Sequence, residues 1–216
     1  MEVVGTSKAK VVLASCLQES AVYFADHTRI IRSNPFCTHA VYLEELGIYQ
    51  WVFQVKDPRD NPITAIFFVE QREEQLEHRP PLPAVSSDRA GNARCIRWVN
   101  ASRVPSIEID NDHTFIGKAD TRICLYHLDD GKTEVHFATD IVLDFTLSFP
   151  LNMIPETIIK FLSQTVMSQI MQQATESMLC KVQSEICCLS STLSADGGKV
   201  FCQRSEERRV GKECRS

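Results

Sequence analysis

The chain of 216 residues lacks the features that most directly reveal a protein's activity. It has no run of about 18 apolar residues, the length that a membrane-spanning helix needs. Despite nine cysteines, it has no C-x-x-C pair and no cysteine and histidine at zinc-binding spacing. The motifs G-x-S-x-G and H-E-x-x-H, the glycine-rich phosphate loop and the calcium loop are also missing. The sequence therefore predicts no transmembrane segment, no metal site, no cofactor and no catalytic residues.

Basic residues are too few and too scattered for a nucleic-acid-binding protein. The chain has 23 Lys and Arg against 28 Asp and Glu, a formal net charge of −5. Proteins that bind the phosphate backbone usually carry a basic face, so we expect no nucleic-acid partner. The hydrophobic share of 44% and the charged share of 24% are typical of a globular protein.

Composition and patterning divide the chain into four parts. Residues 1–20 form a poorly patterned N-terminal segment, although Val11 to Leu13 could begin a strand. We expect the folded domain at 21–190 and a flexible tail at 191–203. Residues 204–216 match the in-frame translation of a common short-read sequencing adaptor, so we exclude them as an artefact.

Alternation of apolar and polar residues predicts most of the strands. Aromatic residues at Tyr49, Trp51 and Phe53, followed by Val55, alternate with more polar positions and indicate a strand with an aromatic inner face. Further strands are predicted at 63–70, 94–100 and 106–109, and short helical turns at 26–46.

The clearest pattern is a hairpin formed by residues 115–128 and 132–147. The apolar face of each strand is formed by its odd-numbered residues. A two-residue turn would pair odd-numbered residues with even-numbered ones and so place one apolar face in water. A three-residue loop, 129–131, restores the match and places Gly131 at a left-handed position. It pairs Phe115 with Phe145, Gly117 with Leu143, Ala119 with Ile141 and Ile123 with Phe137.

A long C-terminal helix follows Pro155 and extends to about residue 189. Successive residues of a helix are rotated by about 100° around its axis. On this basis, the apolar residues of the first half lie on one face of the helix and those of the second half on roughly the opposite face. The first set should pack on the sheet: Ile158, Ile159, Phe161, Leu162, Val166 and Ile170. The second set lies on the opposite face, and is either core or a surface for a protein partner: Met171, Ala174, Met178, Val182 and Ile186.

A strip of small residues on the inner face of the hairpin suggests where a ligand could bind. Gly117, Ala119 and Thr121 lie beneath the expected position of the helix. Either the helix packs closely on this strip, or the strip is the floor of an apolar cavity. The predicted ligand-binding residues are Trp51, Phe53, Phe67, Phe115, Gly117, Ala119, Thr121, Leu143, Phe145, Ile158, Leu162 and Val166.

Three segments resemble a known superfamily. They are 115–119 (FIGKA), 148–155 (SFPLNMIP) and 167–174 (MSQIMQQA). Together with the order of elements, they resemble the START and polyketide-cyclase-like superfamily (SRPBCC proteins), and within it a plant and cyanobacterial domain family of unknown function. The resemblance implies an α+β helix-grip fold, a curved antiparallel sheet wrapped around a long C-terminal helix.

The resemblance also implies a function, since members of this superfamily commonly bind lipids or other apolar molecules between helix and sheet. Our leading hypothesis is therefore a non-enzymatic domain that binds an apolar or amphipathic small molecule. The alternatives are an interaction module whose partner covers Met171, Met178, Val182 and Ile186, and a cyclase-like or hydrolytic enzyme. We expect an intracellular protein, in the chloroplast by the family resemblance and otherwise in the cytoplasm.

Overall fold

A computed structural model describes residues 1–56, 60–76, 93–107, 113–128, 130–144 and 155–193, with the backbone alone at 74–76 and 187–193. Seven strands and three helices lie in these ranges. In chain order they are β1 (Glu2–Leu13), α1 (Leu17–Ala25), α2 (His27–Arg32), β2 (Cys37–Leu43), β3 (Ile48–Lys56), β4 (Pro62–Leu76), β5 (Ala93–Asn100), β6 (Thr114–His127), β7 (Thr133–Asp144) and α3 (Glu156–Leu193).

The strands form one curved sheet in the order β1-β7-β6-β5-β4-β3-β2. Neighbours in this order are antiparallel, and the start of β4 also pairs in parallel with the start of β6, from Thr64↔Thr114 to Phe67↔Gly117. A long C-terminal helix, α3, packs against the sheet, chiefly along β1. The predicted α+β helix-grip class is confirmed. Within the described ranges, no helix is long and apolar enough to span a bilayer.

The predicted register of the β6–β7 hairpin is confirmed. Gly117 lies opposite Leu143, Ala119 opposite Ile141 and Ile123 opposite Phe137. Gly131 has φ of 77°, the left-handed conformation that the three-residue loop requires. The predicted pairing of Phe115 with Phe145 lies outside the described residues. This register sends the odd-numbered residues of both strands into the interior.

Strand β2 was not predicted, and β1 was anticipated only at 11–13, where it ends and does not begin. The whole of β1 lies in the segment placed before the domain, and it pairs with β7 from Glu2↔Asp144 to Leu13↔Thr133. Its inward positions include the small residues Gly5 and Ser7, so the apolar alternation is weak. The helical turns expected at 26–46 are only partly correct, since β2 follows α2. Of the strand expected at 106–109, the described residues 106 and 107 are not in a strand.

Polar side chains of α3 form hydrogen bonds with backbone N–H and C=O groups on the outer edge of β1. The backbone N–H of Thr6 donates to Ser168 Oγ (3.1 Å), and the N–H of Lys8 donates to Gln172 Oε1 (3.0 Å). Gln172 Nε2 donates to Lys8 O (2.9 Å), and Gln183 Nε2 to Val12 O (2.9 Å). An unpaired edge strand would otherwise be a template for aggregation, so this helix protects the sheet.

Most of the first apolar set of α3 is not packed on the sheet as expected, whereas most of the second set is core, one of the two alternatives predicted for it. Met178, Val182 and Ile186 are buried in the main hydrophobic core, so they are not the partner surface that the sequence suggested. Tyr23 OH donates to Glu185 Oε2 (2.7 Å) and thereby ties α1 to this second half. The first half instead leaves its apolar residues largely exposed, because α3 runs beside β1. The residues concerned are Ile158, Phe161, Leu162 and Val166.

Candidate ligand-binding site

A cavity of about 490 Å³ lies between the inner face of the sheet and α3. Ligand pockets commonly have roughly 300–1,000 Å³, so the size suits a small organic molecule. Its lining is mostly aliphatic and aromatic: Val3, Ile31, Asn34, Phe36, Trp51, Phe53, Val55, Ile63, Ala65, Phe67, Ala119, Thr121, Phe137, Thr139, Ile141, Leu143, Leu162, Ser163, Val166, Met167, Ile170, Met171, Ala174, Thr175 and Met178.

The small-residue strip is filled at one end and open at the other. Gly117 does not line the cavity, since a Cβ there would lie 2.4 Å from both Leu143 Cδ2 and Phe67 Cε1. Only glycine permits this close approach. Ala119 and Thr121, further along β6, do line the cavity. The strip therefore lines the cavity at Ala119 and Thr121, while the space beside Gly117 is filled by side chains of the sheet and not by the helix that the close-packing interpretation expected.

The structure brings most of the predicted site residues together. Those that line the cavity are Trp51, Phe53, Phe67, Ala119, Thr121, Leu143, Leu162 and Val166. Phe115 packs against the core without lining the cavity, and Ile158 is 51% exposed on the outer side of α3. Phe145 lies outside the described residues. Direct contact of the lining residues with a ligand remains a prediction.

Sequence reasoning missed the walls contributed by β1, most of which it did not predict, and by α2 and the residues after it, whose place beside the cavity it did not predict. Val3 lies on β1, and Ile31, Asn34 and Phe36 lie in or after α2. Thr139 and Ile141 could have been found, because they share the predicted inner face of β7 with Phe137 and Leu143. From α3, Met171 and Met178 line the cavity, although they were expected either in the core or on a partner surface.

The cavity opens to solvent beside the first half of α3. Leu162 and Val166 line it and yet are 56% and 53% exposed. Trp98 and Ile123, by contrast, belong to the core, do not line the cavity and are inaccessible to solvent. A molecule could therefore enter past Leu162 and Val166 without the sheet opening.

A buried histidine holds one aromatic wall of the cavity in place. The indole N–H of Trp51 donates to His27 Nε2, so His27 carries its proton on Nδ1, which faces Gln71 Oε1 at 3.3 Å. The imidazole also stacks on Tyr49, with ring centroids 3.7 Å apart. Burial lowers the pKa of His27 to about 3. His27 is therefore neutral at physiological pH and fixes the indole of Trp51.

Within the part of the chain that the structure describes, no three His, Cys, Asp or Glu side chains are grouped to hold a metal ion. On the outer face of the sheet, Arg97 pairs with Asp120, with 2.6 Å between Nη2 and Oδ2. Both side chains are partly exposed, so Asp120 belongs to a solvated charge pair and lies outside the cavity.

No protein-family model and no curated protein sequence matches this chain. Solved structures do resemble it. The lipid transfer and protein localization domain of human StarD13 matches with a TM-score of 0.45 and 14% identity, over 79% of this chain and 75% of that chain. The Zhui aromatase/cyclase from Streptomyces sp. R1128 matches with a TM-score of 0.45 and 12% identity, over 90% and 99%.

A START superfamily protein from Mycobacterium smegmatis also resembles the chain, with a TM-score of 0.42 and 13% identity over 85% of this chain and 98% of that chain. START is also the superfamily that three segments of the sequence resemble.

Proposed function

We propose that this protein binds an apolar or amphipathic small molecule, such as a lipid, between its sheet and α3 without changing it chemically. The observation that supports this function is the open, apolar cavity of about 490 Å³. Binding needs only volume and apolar surface, and both are present.

Catalysis by a cyclase-like or hydrolytic enzyme has less support. General acid–base chemistry needs a titratable side chain that reaches the reacting group. The described lining contains no carboxyl, imidazole, thiol or amino group. We also do not propose a protein partner at Met171, Met178, Val182 and Ile186, because the first lines the cavity and the other three are buried.

Filling the cavity tests the proposed function. Ala119 is buried on the cavity floor, so Ala119→Phe should place a ring in the empty space. Titration with the neutral fluorescent probe Nile red should show saturable binding to the unmodified protein and at least tenfold weaker binding to this variant. Ala138→Phe makes the same change on the outer face of β7, opposite Lys8 of β1, and should leave binding unchanged. Equal binding by all three proteins would contradict the function.

On the sequence resemblance, we also propose membership of the plant and cyanobacterial domain family, and an intracellular location in the chloroplast or cytoplasm. Expression of the full-length chain with a C-terminal fluorescent protein in plant cells tests the location. Fluorescence in secretory vesicles or outside the cell would contradict it.

A further inference from the structure

The polar groups of the cavity define what kind of molecule it can hold. Five polar residues face it: Asn34, Thr121, Thr139, Ser163 and Thr175. All five are uncharged, and the described lining contains no Asp, Glu, Lys, Arg or His. The hydrogen-bonding groups of the ligand must therefore be few, and they must suit hydroxyl or amide partners.

Two of the five polar residues make hydrogen bonds within the cavity walls. Thr175 Oγ1 and Ser7 Oγ are 2.9 Å apart and both residues are buried, so their hydroxyls are hydrogen-bonded to each other. Asn34 Oδ1 accepts from the backbone N–H of Phe36 at 3.0 Å. These two bonds hold the walls of the cavity together.

The pair Thr121 and Thr139 differs from Ser7 and Thr175, because both of its residues line the cavity, whereas Ser7 does not. The two residues lie opposite each other in the β6–β7 register, and their hydroxyls are hydrogen-bonded. In such a pair one hydroxyl donates and the other accepts, so the proton of the accepting hydroxyl stays available. Both residues line the cavity, and the pair can donate one hydrogen bond to a ligand.

A charged group would be poorly accommodated at this position. Removing an ionised carboxylate or ammonium from water costs several kcal/mol unless opposite charges and hydrogen bonds replace the water. A single hydroxyl cannot replace that hydration, whereas it can donate one hydrogen bond to an uncharged carbonyl, ether or alcohol oxygen.

The volume sets a second limit. At roughly 30 Å³ for each water molecule, the cavity equals about 16 waters and suits a ligand of on the order of 20 non-hydrogen atoms. One alkyl chain or one small fused ring system fits. A lipid with two long chains would have to leave part of itself in the opening beside Leu162 and Val166.

On the basis of the proposed function, we infer that the ligand is an uncharged, single-chain or single-ring-system molecule whose one polar oxygen binds the Thr121–Thr139 pair. The three probes 1-dodecanol, dodecanoate and dodecylammonium test the inference, because they share a chain and differ in the charge of the head group. Isothermal titration calorimetry at pH 8, with probes kept below their aggregation concentrations, gives each Kd.

We expect 1-dodecanol to bind at least tenfold more tightly than either charged probe. The double variant Thr121→Val, Thr139→Val keeps the side-chain shape and should weaken 1-dodecanol binding by about three- to tenfold, the effect of one lost hydrogen bond. Thr38→Val, on an exposed part of β2, is the matched control and should leave binding unchanged.

The outcomes separate this inference from the proposed function. Equal or tighter binding of dodecanoate or dodecylammonium would overturn the inference and leave the function standing. An unchanged affinity in the double variant would overturn the assignment of the anchor. Failure of all three probes and of Nile red would overturn the proposed function itself. The comparison of probes uses the unmodified protein, so it stands even if the double variant fails to fold.

Discussion

The two halves of α3 are similar in sequence character and opposite in environment. Between 156 and 170 the helix exposes Phe161, Leu162 and Val166, each by more than half. Between 171 and 186 it buries Met178 and Val182 almost completely. Both halves line the cavity, the second through Met171 and Met178, but only the first half has apolar lining residues that are more than half exposed.

The contrast shows that an apolar helix face indicates that something covers it, but not whether that is the protein core or a ligand. Side chains of the sheet, α1 and α2 fill the space near the second half. Near the first half the space is empty, and Leu162 and Val166 line its opening. A bound ligand is the neighbour that would cover these two residues, and the comparison can be tested by changing each half separately.

The largest effect is expected from truncation in the second half. Met178→Ala should lower the free energy of unfolding by about 2–5 kcal/mol, because it removes a buried side chain and leaves a cavity. Phe161→Ala removes more atoms from a residue that is 67% exposed, and should change stability by no more than about 0.5 kcal/mol. Urea denaturation of both variants measures the difference. Similar losses for both would show that the two halves contribute equally to the core.

A smaller change in stability is expected from substitutions in the small-residue strip of β6, which is filled beside Gly117 and open beside Ala119. Gly117→Ala should destabilise the protein by about 1–3 kcal/mol, since the new Cβ meets Leu143 and Phe67. Ala119→Val adds two carbons where the cavity has room, and should cost less than Gly117→Ala. Thermal unfolding of both variants tests this order. A reversed order would mean that the interior is empty beside Gly117 and filled beside Ala119.

The sequence predicted the central architecture because its strongest periodicities lie there. The β6–β7 hairpin follows from a strict alternation, and its register follows from parity together with Gly131. Strand β1 could not be recognised in the same way. Gly5 interrupts its pattern because α3 approaches closely, and a Cβ would lie 2.6 Å from Met171 Sδ. The reason for this glycine is tertiary contact, which local sequence does not record.

The site residues on strands could be predicted from the sequence, because alternation shows which strand face points inward. Those on α3 could not, because they depend on where the helix lies. Trp51, Phe53, Ala119 and Thr121 follow from alternation along β3 and β6. The burial of α3 does not follow from its sequence, since both halves carry apolar residues on a defined face. Only the path of the helix along β1 decides which half covers the core.

Buried His27 should make the stability of the protein depend on pH. The pKa of His27 is about 3 in the folded chain and about 6.5 in the unfolded chain. The unfolded chain therefore binds the proton first, and stability falls as pH decreases from about 6.5 towards 3. The loss should reach about 2 kcal/mol at pH 5.

Urea denaturation at pH 7.5 and pH 5 measures this loss, and His27→Gln is the control. Glutamine can still accept from Trp51, but it does not titrate. The variant should lose about 2 kcal/mol less than the unmodified protein between the two pH values. Equal pH dependence in both proteins would show that His27 is protonated in the folded chain or that its burial is incomplete.

The smallest effect is expected where the two halves of α3 meet. Gln172 both accepts from the N–H of Lys8 and donates to its C=O, at an exposed edge where water can replace it. Gln172→Leu should therefore cost only about 0.5–1.5 kcal/mol. The sharper measurement is hydrogen exchange of the Lys8 amide, which should become faster in the variant.

The amide of Ala9 provides the internal control for this measurement, because alternate amides of an edge strand point to opposite sides and Ala9 lies opposite Phe137 of β7. Its exchange should stay slow in both proteins. Faster exchange at Lys8 alone would show that α3 protects the sheet edge through Gln172, independently of the apolar packing further along the helix. Equal acceleration at Lys8 and Ala9 would instead mean that the side chain holds the whole of β1 in place.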